Sequence, residues 1–265
     1  MTWTAATMAK GSPVPLYHQL AELIRERVRA GELTAGDQLP AERELAELVG
    51  ISRMTARQAV ASLVRDGTLV ARPGIGTFVA APKLTYDALH LLGFTEETMR
   101  HGDAVASRVL EQALVAPPAP VATGLGLPSD EATVKVVRLR SAGDLPVLLE
   151  TSFLPAVVCP GLEREDLARH SLYALLELRY GLRLQRARQT IEATIANDYE
   201  SDLLGVEVGA PMLLLEGLTY DDHDRPVEHF KAVYRADRSK FALESRRQAG
   251  GLVVADAPQV SLVLT

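Results

Sequence analysis

The sequence of 265 residues has little cysteine, few aromatic residues and no long apolar run. Its single cysteine, Cys159, excludes an internal disulfide and a cysteine metal cluster. The richest apolar stretches, 145–149 and 211–215, are far shorter than the roughly 20 residues of a membrane helix. The start, MTWTAATMAK, lacks the basic and apolar regions of a secretory signal. We therefore expect a globular protein of the cytoplasm that does not enter a membrane.

A strong excess of either charge is also missing, since the net charge is −6. The first 82 residues carry nine Lys and Arg against eight Asp and Glu, and the remainder carries 19 against 26. A polyanionic partner should therefore meet the first third of the chain. Because even that third has a charge of only +1, an architectural protein that coats DNA is disfavoured.

What the first third does have is three helical patterns and a hairpin pattern. Apolar residues recur at helical spacing over 17–30, 41–49 and 53–66. Two β-branched runs, 68–71 and 77–80, follow around a Pro-Gly-Ile-Gly turn. This order is typical of a winged helix-turn-helix domain over 13–80, after a flexible N-terminus at 1–12. The alternative is a helical cap on an enzyme.

Arginine and hydroxyl side chains cluster where such a domain meets DNA. Arg43 lies in the first turn of the second helix, and Ser52, Arg53, Thr55 and Arg57 lie at the start of the third. Arginine can bind guanine or a phosphate, and hydroxyl groups can reach phosphates. The alternative is a solvated polar helix face on which Ser52 is only an N-cap.

The second domain is predicted over 91–247, after a linker at 81–90. Its patterns indicate an α+β domain with an antiparallel sheet. The predicted strands are 109–115, 133–141, 146–154, 185–195, 212–220 and 226–234, and the predicted helices are 167–180 and 197–204. The tail over 248–265 has no assignment.

A candidate anion site lies in this second domain. Arg138 and Arg140 are two residues apart on a predicted strand, so both point to one face and repel each other unless an anion is present. Ser171 is the predicted N-cap of a helix whose first turn carries Tyr173. A phosphate suits these four side chains better than a carboxylate does. Alternatively, the arginines pair at the surface with acids such as Glu131 or Glu150.

No set of catalytic residues is evident. The six histidines lack metal-ligand spacing, and the Gly-Ile-Gly sequence at 74–76 lies in a hairpin without a following helix. We therefore predict no catalytic residue, no metal site and no cofactor.

The stretch LPAERELAELVGISRMTARQAVASLVRDGTLVARPGIGTFVA at 39–80 resembles the N-terminal domain of the GntR family of bacterial transcription regulators. The resemblance implies a dimer that binds double-stranded operator DNA. It also implies that Arg43, Arg53 and Arg57 contact the DNA and that the hairpin tip at Gly74 reaches the minor groove.

The second domain is similar to the UTRA ligand-sensing domain of the HutC subfamily, which has a chorismate-lyase-like fold. The motifs are GFTEETM at 93–99, VVRLR at 136–140, LPVLLETSFLP at 145–155, HSLYALLE at 170–177 and RPVEHFKAVYRADRSKF at 225–241. The resemblance implies an amino-sugar phosphate effector whose phosphate is held by Arg138, Arg140, Ser171 and Tyr173. It further implies a closing loop with Phe94 and Thr95, and sugar hydroxyls bound by Glu150, Glu228 and Tyr234.

Together these patterns predict a homodimeric, ligand-responsive transcription repressor. One alternative is the same regulator with a small, non-phosphorylated acid as effector. Another is a lyase-like enzyme, which the likeness of the second domain to a lyase fold suggests.

Overall fold

The structure is a computed structural model that describes most of the chain. The described residues are 8–9, 11–72, 74–87, 91, 94–95, 105–128 and 130–243. The tail over 248–265 and most of the GFTEETM motif therefore lie outside the described residues. Within them, no helix is long and apolar enough to cross a membrane.

The N-terminal domain has the predicted three helices and hairpin. The elements are α1 (Leu16–Arg29), α2 (Glu42–Val49), α3 (Arg53–Arg65), β1 (Leu69–Arg72) and β2 (Gly76–Val79). Leu20, Leu45 and Leu63 form the centre of its core, in which Met8 of the N-terminal segment is also buried. The left-handed conformation of Gly50, at φ +69°, gives the tight turn between α2 and α3.

A third extended segment supports the hairpin. The amides of Gly36 and Leu39 donate to the carbonyls of Val79 and Thr77, at 2.9 and 2.8 Å. The amide of Val79 donates in return to the carbonyl of Asp37 at 2.8 Å. Strand β2 is therefore paired on both of its edges, which makes the hairpin a firm projection of the domain.

The second domain is built on six antiparallel strands in the order β4-β5-β6-β9-β8-β7. The strands are β4 (Val105–Val115), β5 (Thr133–Ala142), β6 (Leu145–Pro155), β7 (Leu184–Ile195), β8 (Pro211–Asp221) and β9 (Pro226–Arg235). The α+β class and the antiparallel sheet are thus confirmed.

Among the described residues, helices α4 to α6 and a short 3-10 turn cover this sheet. They are α4 (Ala119–Leu125), the 3-10 turn Leu162–Arg164, α5 (Leu172–Leu178) and α6 (Asp198–Leu204). The prediction of a helix over 167–180 was too long, because the Ser171 hydroxyl caps the helix and Leu172 is its first residue. Helix α4 was not predicted, since APVATGL has no clear apolar stripe.

The predicted linker contains a short strand, β3 (Leu84–Asp87), which pairs in parallel with β10 (Ser239–Ala242). Tyr86 of β3 packs edge-on against Tyr234 of β9, with ring centroids 5.0 Å apart. The chain therefore joins the second domain before the main sheet begins.

Cross-strand register places Arg138, Arg140 and Glu150 on one side of the sheet. Arg138 is opposite Glu150, and Arg140 is opposite Leu148. Glu228 and Tyr234 of β9 share this side, as does Thr219 of β8, because side chains alternate along each strand. We call this side the arginine face. The other side packs Leu139 and Val233 with Leu204 of α6.

Two apolar clusters cover the ends of the arginine face. One contains Val134 and Val136 of β5 with Leu172 and Leu176 of α5. The other contains Leu148 and Tyr234 with Tyr86 and Phe94. The charged residues lie in the band between them, where water has little access.

Candidate functional site

The arginines predicted to contact DNA are on the surface of the N-terminal domain. Arg43, Arg53 and Arg57 are all exposed. Among the described residues, Arg43 and Arg53 make long ion pairs of 3.9 Å, with Glu47 and Glu42. Such exposed pairs are weak, so the guanidinium groups can exchange a carboxylate for a phosphate at little cost.

The start of α3 has the predicted hydroxyl cap. The Ser52 Oγ accepts a hydrogen bond from the Thr55 amide at 3.1 Å and lies 2.8 Å from the Thr55 hydroxyl oxygen. The cap orders the first turn, and the exposed amides of a helix N-terminus favour an anion. Both hydroxyl groups therefore lie beside Arg53 at the end of the helix that a helix-turn-helix domain presents to DNA.

The hairpin turn presents Gly74 at the surface. Gly74 has φ +73° and no heavy atom within 4 Å of a Cβ atom built on it. Its conformation selects glycine, and the open space around it leaves room for close approach of a partner.

In the second domain, Arg138 and Arg140 are almost completely buried, with exposed fractions of 3% and 2%. Their alternation on β5 puts both on the arginine face, as their spacing predicted. Burial of two guanidinium groups on one face is costly without counter-charge or hydrogen bonds. The arginine pair therefore needs counter-charge or hydrogen bonds within the interior of this domain.

Arg138 is only partly satisfied. Its Nη2 donates to Glu150 Oε2 at 2.7 Å. Its Nε and Nη1 are buried and have no hydrogen-bond partner among the described residues. Pairing of Arg138 with Glu150 was the alternative prediction, but it places the pair at the surface, and the structure places it in the interior.

Arg140 contacts the segment that precedes the sheet. Its Nη2 donates to Thr95 Oγ1 at 2.6 Å, and its guanidinium carbon lies 4.7 Å from the centroid of the Phe94 ring. Stacking on an aromatic face and a hydroxyl acceptor both favour the buried guanidinium. Phe94 and Thr95, the predicted closing loop, thus lie directly against the arginine pair.

Glu228 is a buried acceptor for three hydroxyl groups. Ser152 Oγ donates to its Oε1 at 2.7 Å, while Thr219 Oγ1 and Tyr173 OH donate to its Oε2 at 2.9 and 3.0 Å. Burial, followed by the nearby Glu150 carboxylate, raises the pKa of Glu228, although the three hydrogen bonds oppose the shift.

The pKa of Glu150 shifts in the opposite direction. Burial by itself disfavours its charged form, but the positive charges of Arg138 and Arg140 outweigh that effect and lower the pKa. The two carboxyl groups of the arginine face therefore differ in character. Glu150 is the ionised partner of the arginines, and Glu228 is the group that protonates more readily.

Tyr173 and Tyr234 were both predicted in the site, and they have different surroundings. The hydroxyl of Tyr173 lies between Thr219 and Glu228, and burial raises its pKa well above the usual value, so it is a neutral donor. Tyr234 is buried among Tyr86, Phe241 and Leu148. Ser171 caps α5 two residues before Tyr173, accepting from the Ala174 amide at 3.3 Å.

Two residues of this cluster, Ser152 and Thr219, were missed by sequence reasoning. Ser152 is two residues after Glu150 on β6, so the strand alternation could have placed it on the same face. Thr219 is opposite Glu228 in the register between β8 and β9, which the sequence does not specify directly. Both hydroxyl groups orient the Glu228 carboxyl.

A second group of titratable side chains lies at the turn between β8 and β9. Asp221, Asp222 and His223 have ligand atoms close enough to hold a metal ion. Asp221, however, accepts two hydrogen bonds from the Arg225 guanidinium and others from backbone amides, which hold its pKa below the usual value. We interpret these hydrogen bonds as contacts that stabilise the turn between β8 and β9.

Comparison with known families gives two matches that divide the chain. Residues 16–79 match the family described as bacterial regulatory proteins, gntR family, and residues 100–240 match the UTRA domain. The first covers the winged helix domain, and the second covers the six-stranded sheet with the arginine face.

Individual relatives match over nearly their whole length. The HTH-type transcriptional repressor NagR of Bacillus subtilis is 37% identical over 88% of this chain and 95% of that protein. A probable fructoselysine utilization operon transcriptional repressor of Escherichia coli K12 is 28% identical over 88% and 95%. The crystal structure of PhnF from Mycobacterium smegmatis has a TM-score of 0.62 and 30% identity, over 86% of this chain and 99% of that one.

The order of domains, the fold and the relatives agree with one another. NagR and the Escherichia coli protein are both transcriptional repressors, and the resemblance seen in the sequence is confirmed. The chain belongs to the GntR family of bacterial transcription regulators, and its combination of a gntR domain with a UTRA domain makes it a transcriptional repressor of the HutC type.

Proposed function

We propose that a phosphorylated small molecule binds at the arginine face and weakens the binding of operator DNA by the winged helix domain. One observation carries the proposal, namely that the guanidinium of Arg138 is buried with two of its three nitrogen atoms lacking a hydrogen-bond partner among the described residues. An unsatisfied buried charge costs stability, and an anion that reaches those atoms removes the cost.

The charge balance of the face favours a phosphate. Two guanidinium groups face Glu150, whose pKa is lowered, and Glu228, whose pKa is raised. The positive charges therefore exceed the negative charge whenever Glu228 is protonated. A phosphate has oxygens enough for both arginines, whereas a carboxylate has two. Ser171 and Tyr173 are the two remaining predicted phosphate contacts, and the hydroxyl proton of Tyr173, which Glu228 accepts in this structure, would turn to the phosphate.

The carboxyl groups suit the rest of an amino-sugar phosphate, which is the effector class that the family resemblance implies. Carboxylate oxygens accept hydrogen bonds from sugar hydroxyls and pair with an ammonium group. Glu150, Glu228 and the Tyr234 hydroxyl are the predicted contacts. Phe94 and Thr95, already in contact with Arg140, would cover the bound molecule.

The DNA contacts follow from the exposed face of the first domain. Arg53 and Arg57, at the start of α3, would enter the major groove. Ser52 and Thr55 would donate hydrogen bonds to phosphates, and Arg43 would contact the DNA backbone beside them. Gly74 would bring the hairpin tip to the minor groove. This activity requires the compartment that holds the operator DNA, the cytoplasm.

A two-fold homodimer would give such a repressor its affinity for the operator. Once one winged helix domain is bound, the linked second domain is held at a high effective concentration near its half-site. The edge strand β7 is a candidate interface. Ile191 and Ile195 are exposed along it, and the outer edge of an end strand offers unpaired backbone groups. We propose that a second copy of this chain covers this edge.

Calorimetry on the full chain tests the effector proposal. Glucosamine 6-phosphate and N-acetylglucosamine 6-phosphate are titrated beside the same sugars without phosphate, and binding of only a phosphorylated form supports the proposal. Equal binding of sugar and sugar phosphate would contradict a phosphate site. Binding of a small carboxylic acid in place of all four would favour the non-phosphorylated effector, and turnover of that acid would favour a lyase.

A further inference from the structure

The tip of the hairpin carries an exposed apolar side chain between two glycines. Ile75 is 66% exposed and lies between Gly74 and Gly76, whose φ angles are +73° and +148°. Glycine on both sides leaves no side chain to hold a partner away from Ile75. The tip therefore exposes one apolar side chain on a surface whose other proposed DNA contacts include arginines.

The tip also lacks charge. Arg72 is the only Lys or Arg in residues 68–80. Its guanidinium carbon lies 4.7 Å from the centroid of the Phe78 ring, so it stacks on the strand of the hairpin. The hairpin therefore presents an isoleucine where a cation would neutralise a phosphate.

Two hydrogen bonds hold the backbone of Ile75 in place. Its amide donates to the Arg72 carbonyl at 3.0 Å, and its carbonyl accepts from Gln38 Nε2 at 3.1 Å. Gln38 belongs to the extended segment 36–39 that pairs with β2. A side chain on such a fixed turn loses little freedom when it enters a binding partner.

We propose that Ile75 selects A·T base pairs through the minor groove, because its side chain fits only where the guanine amino group is absent. The inference rests on the proposed placement of the hairpin tip in the minor groove. Apolar side chains there insert between base steps. The guanine N2 amino group is the one donor in the minor groove, and it stands in the path of such a side chain. Ile75 would leave that donor unpaired, so the base pairs under the tip would be A·T.

This specificity differs from that of α3. Side chains of α3 read donors and acceptors in the major groove, whereas Ile75 senses a single minor-groove group at base pairs that α3 does not touch. Ile75 also adds nothing to the neutralisation of phosphates. The affinity of the variant Ile75→Lys for DNA should therefore fall more steeply with salt concentration. The added slope should correspond to about one neutralised phosphate for each winged helix domain.

A base analogue separates the two grooves. A duplex is first selected by the full chain from a pool of random sequences, and the base pairs under the tip are located by minor-groove footprinting. Adenine at those pairs is then replaced by 2,6-diaminopurine, which adds the amino group to the minor groove and keeps the major-groove pattern. We expect the parent to lose about tenfold in affinity, the effect of one wrong base pair, and Ile75→Ala to lose less than twofold.

Met54 provides the matched control, because it is an apolar side chain of α3 that is 69% exposed. Met54→Ala should keep the full sensitivity of the parent to 2,6-diaminopurine. If the parent and Ile75→Ala lose affinity equally, or the parent loses none, the role of Ile75 is overturned while operator binding stands. If the parent selects no duplex from the pool, the proposed function itself fails.

Discussion

Gly67 of the winged helix domain and Asp237 of the UTRA domain are in backbone contact. A Cβ atom built on Gly67 would lie 2.0 Å from the Asp237 carbonyl oxygen. The carboxylate of Asp237 accepts from Arg235 Nε and Nη2 at 3.0 and 2.8 Å. Arg235 is the last residue of β9, the strand that carries Glu228. The turn that follows β9 therefore contacts the chain at the end of α3. This contact connects the strand that carries Glu228 to the C-terminal end of α3.

The variant Gly67→Ala tests whether this contact couples the two sites. The added methyl group cannot fit beside Asp237, so the domains must separate, and we expect the effector to change operator affinity less than in the parent. The measurement is the ratio of operator Kd values with and without the effector. Coupling of about 1–3 kcal/mol is ordinary for such a switch, and we expect most of it to be lost.

Gly31 supplies the control for Gly67→Ala. It has φ +74° after α1 but nothing within 4 Å of a built Cβ atom. Gly31→Ala therefore introduces the same left-handed strain, about 1 kcal/mol, without the collision. Equal ratios of operator Kd in the two variants would show that the contact with Asp237 carries no coupling.

Arg53→Ala and Arg57→Ala should each weaken operator binding. The loss should be about 1–3 kcal/mol if the arginine binds a base edge, or about one unit of salt slope if it binds a phosphate. Fluorescence anisotropy over a range of salt concentrations distinguishes the two. Arg65 is exposed at the opposite end of α3, and Arg65→Ala should change affinity by less than about twofold. Parent-like binding by both folded variants would exclude α3 as the reading helix.

Glu228→Gln should change how stability depends on pH. The raised pKa of Glu228 means that the folded state holds this proton more tightly than the unfolded state does. Its contribution is therefore present below the unfolded pKa, about 4.3, and is lost as pH rises through the folded pKa. Glutamine cannot ionise, so the variant does not lose this stability. The melting temperature of the variant minus that of the parent should therefore increase as pH rises over this range.

Glu150→Gln should show the opposite trend, because the pKa of Glu150 is lowered. Its contribution is present above the unfolded pKa and is lost as pH falls through the folded pKa. Removal of the carboxylate at neutral pH leaves Arg138 buried without its partner, at a cost of about 3–5 kcal/mol. Parallel melting curves for the two variants across pH would contradict the assignment of distinct roles to the two acids.

Ile195→Lys should dissociate a dimer that forms along β7. Ile195 is exposed at the end of this edge strand, and a lysine would bring two like charges to a two-fold interface. Sedimentation at micromolar concentration measures the oligomeric state. Val208 is equally exposed outside the strands, so Val208→Lys should leave the state unchanged. A dimer that survives Ile195→Lys and an Ile191→Lys, Ile195→Lys double variant would place the interface elsewhere.

Local patterns predicted much of this molecule. Alternation along β5 placed Arg138 and Arg140 on one face, and Ser52 and Ser171 identified two helix starts. The burial of the Arg138–Glu150 pair could not be predicted, because it depends on clusters contributed by α5, β3 and β6. The parallel pairing of β3 with β10 joins residues more than 150 positions apart, and two four-residue strands carry too weak a pattern to indicate it.

The most direct test of the account is the operator response of an Arg138→Ala variant to the amino-sugar phosphate that binds in calorimetry. The operator Kd is measured by anisotropy with and without that compound, on protein whose cooperative unfolding has been verified. Arg108 is an exposed arginine on the opposite side of the same sheet, so Arg108→Ala is the matched control. We expect a ratio of Kd values near one for Arg138→Ala and the parent's ratio for Arg108→Ala. If Arg138→Ala releases the operator at the same concentration of sugar phosphate as the parent does, the arginine face is not the effector site.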